Sequence, residues 1–121
     1  MQNVERPETH LLPWRELSDT ERDVFVAVLA LHADEHPPTG KAIKTKVQQR
    51  RSITQPTVYR ALRSLVDAGY VEKDRGEQDG RMTIYSVTEQ SISEFVRVRC
   101  EEYDVVEQVV SQMFPAATPN A

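Results

Sequence analysis

Hydrophobic side chains recur at helical spacing in the segment that follows Ser18. The spacings are three and four residues, as on one face of an α-helix, and the positions are Phe25, Val28, Leu29 and His32. Ser18 and Glu21 have the spacing of a capping box, in which each side chain bonds the other residue's backbone N–H. The pattern therefore predicts a helix that begins at Ser18 and is stopped by Pro37 and Pro38.

Two shorter helices are predicted next, separated by a break of about four residues over 50–53. Thr39 caps the first of them, which turns Ile43 and Val47 inward. Thr54 caps the second, and Pro56 is tolerated in its first turn. The buried stripe of this third helix is predicted at Val58, Ala61, Leu62 and Leu65.

The hydrophobic period changes from 3.6 to 2 after Gly69, which is placed where a left-handed helix cap is expected. Tyr70–Asp74 is predicted to be a strand, and 75–80 a turn-rich tip in which Asp79–Gly80 favours a hairpin. In the return strand, Met82, Ile84 and Ser86 alternate with Thr83, Tyr85 and Val87. Three helices with a tight turn before the third, followed by a hairpin, predict a winged helix-turn-helix of mainly α character with a small β-hairpin (α+β).

A long helix is predicted from Thr88 to Met113, ended by Pro115. Steps of four and three residues form an apolar seam with one charged member, at Ile92, Val96, Arg99, Tyr103, Val106, Val110 and Met113. A second row widens it at Phe95, Val98, Val105 and Val109. So much apolar surface on a last helix predicts a homodimer, with Arg99 paired to a glutamate of the partner helix or reaching solvent. The alternative is a helix that packs on its own domain.

Four segments follow from these elements. Residues 1–17 form an irregular arm, whose second half docks on the core, and 18–88 form the winged-helix domain. Residues 89–113 are the dimerisation helix, and 114–121 are expected to be a disordered tail. The arm side chains expected to dock are Leu11, Leu12, Trp14 and Leu17.

Charge is distributed very unevenly along the chain. Residues 36–66 contain no Asp or Glu and sum to +7, whereas the whole chain is −4, so that the remainder sums to −11. A basic surface of this kind favours a polyanionic partner. A solvated basic face without a partner is the alternative, but the same residues also form the predicted helix-turn-helix, which indicates double-stranded DNA.

The third helix is expected to enter the major groove, where Gln pairs with adenine, Arg with guanine, and Thr touches a thymine methyl. Base contacts are predicted for Gln55, Thr57, Arg60 and Arg63. Phosphate contacts are predicted for Thr39, Lys41, Lys44, Lys46, Arg50, Arg51, Thr54, Tyr59 and Ser64. Wing contacts are predicted for Lys73, Arg75, Gln78 and Arg81.

Four stretches of the sequence resemble the PadR-like winged-helix regulators over roughly residues 18–113. They are Thr39–Ile43, Gln55–Leu62, Leu65–Val71 and Gly80–Thr88. The resemblance implies a transcriptional regulator that dimerises through its C-terminal helix, and the arginine-rich, acidic composition suggests a haloarchaeal member. The chain departs from the family at Lys41 and at Gln55–Thr57, both on the presumed DNA face.

Other functions have weaker support. The sequence shows no phosphate loop, nucleophile elbow or paired catalytic carboxylates, so no enzyme and no cofactor are predicted. One cysteine, no signal-peptide pattern and no apolar span indicate a cytoplasmic protein without membrane contact. His32 and His36 have a spacing that allows a shared metal ion, but a histidine pair at a helix end is the simpler interpretation. Cys100 could sense redox state if its thiolate were stabilised, but a thiol that packs at a helix interface is the simpler interpretation. An effector-responsive regulator, with the effector unknown, and a protein-interaction winged helix are the alternatives.

Overall fold

The computed structural model describes residues 11–75 and 83–115. A single 3-10 turn at Trp14–Glu16 precedes three helices: α1 (Asp19–Ala33), α2 (Gly40–Gln48) and α3 (Gln55–Asp67). Strands β1 (Val71–Arg75) and β2 (Thr83–Val87) follow, and α4 (Glu89–Met113) ends the described chain. The predicted winged helix-turn-helix of the α+β class is confirmed.

Local capping chemistry sets the helix starts. Ser18 accepts a hydrogen bond from the Glu21 backbone N–H (3.1 Å), and the Glu21 carboxylate accepts one from the Ser18 N–H (2.9 Å). Thr88 and Ser91 form the same reciprocal arrangement at the start of α4. The Thr39 side chain caps α2 through the Ala42 N–H. These three starts are where the sequence predicts them.

Two predicted features of α1 are wrong. The helix ends at Ala33, four residues before Pro37, because Glu35 adopts a left-handed conformation (φ 58°) and the His36 N–H bonds back to the Leu31 carbonyl. His32 is exposed and Leu31 is buried instead. The buried stripe of α1 consists of Val24, Phe25, Ala27, Val28 and Leu31.

The core lies between α1, α2 and α3, and the hairpin closes one side of it. The predicted stripe of α3 is fully confirmed at Val58, Ala61, Leu62 and Leu65. Gly69 takes the expected left-handed conformation, with φ 87°. It turns the chain into β1, which begins at Val71, one residue later than predicted, and pairs antiparallel with β2.

The arm is held on this core by its backbone and by two buried side chains. Trp14 and Leu17 are buried, Leu11 is half-buried and Leu12 is exposed. The Leu12 N–H donates to the Ala68 carbonyl, and the Tyr70 hydroxyl donates to the Leu12 carbonyl at 2.7 Å. Docking is therefore confirmed for the arm, although the Leu12 side chain takes no part in it.

Several predicted features lie outside the described residues. They are the first ten residues of the arm, the tip of the wing with Gln78, Asp79–Gly80 and Arg81, the first residue of the predicted return strand, Met82, and the tail over 116–121. Of Arg75 only the backbone is described, opposite Thr83 in the hairpin.

Candidate nucleic-acid interface

Helix α3 turns two arginines directly away from the core. Arg60 and Arg63 are exposed on the face opposite the buried stripe, and Gln55 is exposed in the first turn. Neither arginine forms an ion pair with any described residue. Their guanidinium groups are thus available for a partner outside the chain, as base-reading side chains must be.

The hydrogen bonds of the threonine side chains at the start of α3 differ from the prediction. Thr54 occupies the cap position, but its side chain makes no hydrogen bond to the helix backbone. Its hydroxyl instead lies 2.9 Å from the hydroxyl of Thr57, which is half-buried. Thr57 is therefore less accessible than Gln55 or Arg60, and its hydroxyl already has a partner within the chain.

Helices α2 and α3 meet at a close contact between Gly40 and Tyr59. A Cβ atom on Gly40 would lie 2.5 Å from both Cε1 and the hydroxyl oxygen of Tyr59. A larger residue at position 40 would therefore fit only if the Tyr59 ring or the helix moved, and the first turn of α2 lies directly against this ring. Tyr59 is half-buried by the contact, and its hydroxyl is at the start of α2, close to where a phosphate is expected.

The wing is attached to the chain just before α2, next to the contact between Gly40 and Tyr59. The Tyr85 N–H donates to the Pro38 carbonyl (3.0 Å), and Ile84 forms a bridge with Thr39. Burial raises the pKa of Tyr85, so its hydroxyl stays neutral beside Tyr59. Lys73 is exposed on β1, opposite Tyr85 in the strand register. These contacts fix the wing relative to α2 and α3.

The turn between α2 and α3 is closed by side chains rather than by glycine. The Gln48 amide donates to the Ile53 carbonyl at 3.0 Å. The Lys44 ammonium lies 3.5 Å from the Gln55 side-chain oxygen, so the first turn of α3 lies beside α2. The two helices therefore offer Lys44 and Gln55 to a ligand as neighbours.

Apart from Lys44, the basic side chains that were predicted to contact phosphates fall into two groups. Lys41 and Arg50 are exposed and without an ion pair among the described residues. Arg51 is bound to Asp23 at 2.6 Å, and Lys46 lies 3.9 Å from Asp34. The first group is free to meet phosphates, whereas Arg51 in particular also ties the turn to α1.

Two further polar residues of the predicted phosphate set are only partly accessible to a ligand. Thr39 and Ser64 are half-buried, and the Thr39 hydroxyl accepts the Ala42 N–H. The acidic partners Asp23 and Asp34 were missed by sequence reasoning, because they precede the basic segment and nothing local links them to it. The role of Gln48 likewise has no sequence signal.

The last helix, α4, has two different halves. Its first ten residues pack on the domain: Ser91 is buried, and the Phe95 ring lies 5.4 Å from Trp14 and 5.8 Å from Phe25. The backbone N–H of Trp14 donates to the Glu94 carboxylate at 2.9 Å, which is the main reason that the pKa of Glu94 lies below its usual value. From Arg99 onward every residue of α4 is exposed except half-buried Ser111.

The predicted dimer surface is corrected accordingly. Phe95 and Val98 of the second row pack on the chain's own core, while Val105 and Val109 are exposed. Arg99 already has an acceptor in its own helix, Glu102 at 3.1 Å, and its guanidinium lies over the Phe95 ring. The six apolar seam residues are all exposed: Ile92, Val96, Tyr103, Val106, Val110 and Met113.

The structure adds no support for the metal and redox candidates among the histidines and the cysteine. His32, His36 and Cys100 are all exposed. Among residues 11–75 and 83–115 no group of three or more His, Cys, Asp or Glu side chains is arranged to hold a metal ion. In the same two ranges no helix is both long and apolar enough to cross a membrane.

A family model described as transcriptional regulator SarA/Rot matches residues 15–98, which is most of the winged-helix domain and the packed half of α4. The chain belongs to this family. It is a DNA-binding transcriptional regulator. No curated protein matches the sequence significantly.

Solved structures agree on the fold of this regulator. A point mutant of MepR from S. aureus superposes with a TM-score of 0.64 at 21% identity, covering 83% of this chain and 68% of that one. The MepR–DNA complex from S. aureus gives 0.62 at 22% identity, with 80% and 67% covered. A PadR family regulator from Clostridium difficile gives 0.53 at 19% identity, with 75% and 95% covered.

The family model that matches is SarA/Rot, so the PadR-like family that the sequence motifs resemble is not specifically supported. The two expectations agree at the level of a winged-helix transcriptional regulator, and one PadR structure is among the neighbours. The motif residues that carried the resemblance, such as Tyr59 and Gly69, serve the packing of the winged helix itself.

Proposed function

We propose that this regulator binds a two-fold symmetric operator as a homodimer, with one α3 in the major groove of each half-site. The observation that carries the proposal is the pair Arg60 and Arg63, exposed on α3 and without an ion pair among the described residues. Gln55 extends the same face toward the helix N-terminus, the end that reaches base edges in helix-turn-helix proteins.

The contacts divide into those that read bases and those that position the protein. Arg60, Arg63 and Gln55 have the exposure and the chemistry for base edges. Lys41 and Arg50 have the exposure for phosphates, which fix register without reading sequence. Lys73 on β1 places positive charge on the wing beside this surface.

Homodimerisation is supported by the exposed seam of α4. Apolar side chains such as Val96, Tyr103 and Met113 are more than half exposed in the single chain. A contiguous apolar surface of this kind is costly in water and marks an interaction site. A helix pair that buries about 800 Å² per partner would be an ordinary stable interface.

We infer that the regulator acts in the cytoplasm and by binding rather than by catalysis. PadR-like membership in the narrower sense, including a haloarchaeal source, rests on the motif residues and the composition alone.

Selection of bound sequences from a random double-stranded DNA library tests the proposal with the full chain. We expect an enriched motif with two-fold symmetry and half-sites about one helical turn, or ~34 Å, apart. An enriched motif without symmetry would contradict dimeric binding. Retention of all sequences alike would contradict base reading by α3.

A further inference from the structure

The distal half of α4, defined here as residues 99–113, projects from the domain. It is about 22 Å long at the rise of an α-helix. Its apolar positions continue the line that begins in the packed half with Ile92 and Val96, and these two side chains are also exposed, by 38% and 51%. A partner therefore has to cover the helix along its whole length and not only its free end.

Charge along α4 is asymmetric. After Arg99 the helix carries no basic residue, and its acidic residues are Glu101, Glu102, Asp104 and Glu107. Arg97 and Arg99 pair with the first two of these within the chain. Asp104 and Glu107 have no ion pair among the described residues, and neither has Arg15, which lies beside the packed half of α4.

We infer that α4 pairs with a second copy of itself in the antiparallel direction, with the two helices crossing near Tyr103. The inference rests on the homodimer of the proposed function and adds its geometry. A two-fold contact must be self-complementary. The seam meets this condition, because Val96 and Val110 lie seven residues before and after Tyr103.

Charge favours the antiparallel direction over the parallel one. Arg99 and Glu107 lie four residues before and after Tyr103, so the antiparallel pair brings them toward each other. It also lays the acidic distal half along the partner's arginine-bearing half. A parallel pair would set Glu102 of each helix beside Glu107 of the other, because these two positions flank the seam on opposite sides, and like charges so placed repel.

Engineered cysteines determine the direction in the full-length protein. Cys100 is first replaced, as Cys100→Ser, and Val96→Cys and Val110→Cys are made separately in that background. Both valines are exposed, so that neither change disturbs the core. The two chains are purified alone and after co-expression with different tags, oxidised, and separated without reductant.

The expected result is a disulfide-linked product in the co-expressed sample and little in either single variant, since a disulfide needs Cβ atoms within about 4.5 Å. Val106→Cys in place of Val110→Cys tests a register shifted by about one helical turn. Gln108→Cys, on the opposite face of the helix, is the matched control and should not cross-link to Val96→Cys.

Cross-linking of Val96→Cys with itself, and of Val110→Cys with itself, would show a parallel pair and overturn the inference. Light scattering of the unmodified chain separates the other outcomes. A dimer that cross-links in no sample would place its interface outside α4, which also overturns the inference but leaves a dimeric regulator. A monomer would remove the homodimer of the proposed function as well.

Discussion

Arg60 and Arg50 are exposed arginines ten residues apart that occupy different places in the proposed DNA interface. Arg60 lies on the outer face of α3, whereas Arg50 follows the end of α2 in the turn. We expect Arg60→Ala to cost about 1–3 kcal/mol at the preferred operator and to relax the base preference there. Arg50→Ala is the matched control and should weaken all sequences alike. Competition binding with operator and scrambled DNA gives both values, and equal losses on both DNAs for Arg60→Ala would remove it from base reading.

The contact between Gly40 and Tyr59 predicts how a substitution at Gly40 changes stability. An added methyl group would lie 2.5 Å from Tyr59, so the ring or the helix must move. We expect Gly40→Ala to lower the free energy of unfolding by roughly 1–3 kcal/mol, as overpacking does. In a double-mutant cycle with Tyr59→Ala the two losses should not add, because the second change removes the obstacle. Additive losses, measured by denaturant unfolding, would mean that the ring is not what excludes a side chain.

At the scale of elements, the starts of the helices were predictable because they depend on neighbouring residues. Ser18 with Glu21, Thr39 and Thr88 act within three positions, and Gly69 ends α3 by its own backbone freedom. The end of α1 was not predictable in the same way. A glutamate, Glu35, adopts the left-handed conformation there, which its residue type does not favour.

The limits of sequence reasoning are clearest for side chains whose partners are distant. Arg51 is bound by Asp23, 28 positions earlier, and no periodicity reveals such a pair. Phe95 and Val98 belong to a continuous apolar helix face that extends to Val109. Periodicity shows that such a face is covered, but it does not distinguish the chain's own core from a partner.

The junction between the arm and α4 predicts a pH dependence of stability. The Glu94 carboxylate accepts the backbone N–H of Trp14, and the Arg97 guanidinium donates further hydrogen bonds to it, so the pKa of Glu94 is lowered in the folded chain. A lowered carboxyl pKa contributes stability above the unfolded value of about 4.3, and this contribution is lost as the pH falls through the folded value.

We therefore expect Glu94→Gln to be less stable than the unmodified chain at pH 7, by about 1 kcal/mol. The difference should narrow as the pH falls below about 4, where the native carboxyl is protonated as well. Thermal unfolding of both proteins from pH 3 to pH 7 measures it, with Glu89→Gln on the exposed first turn of α4 as the control. A difference that is independent of pH would assign the loss to packing instead of charge.

At the scale of the whole molecule, the basic segment that carries the proposed DNA face belongs to an otherwise acidic protein. Residues 36–66 sum to +7 and the remainder to −11. Phosphate contacts weaken as salt rises, because counterions are no longer released into a dilute solution. Repulsion between the acidic surface and DNA is screened by the same salt.

We expect operator binding to persist at molar KCl, with a shallower salt dependence than a uniformly basic protein would show. Titration of operator affinity from low to molar KCl checks this, with a scrambled sequence as the non-specific reference. A simple monotonic collapse of specific binding would leave the acidic composition without a part in DNA binding.

In the proposed function the homodimer joins the elements, since α4 would hold two α3 helices where both can reach one operator. Val106 and Val110 lie at the exposed seam, and neither contacts the core, so charge placed there should not unfold the chain. The most direct measurement is the mass of the protein and of its operator complex by light scattering, for the unmodified chain and for Val106→Asp/Val110→Asp. We expect a dimer and two chains per operator for the first, and a folded monomer with affinity near the non-specific level for the second. A double variant that remains dimeric, or a monomer that binds the operator as tightly as the unmodified chain, would contradict the account.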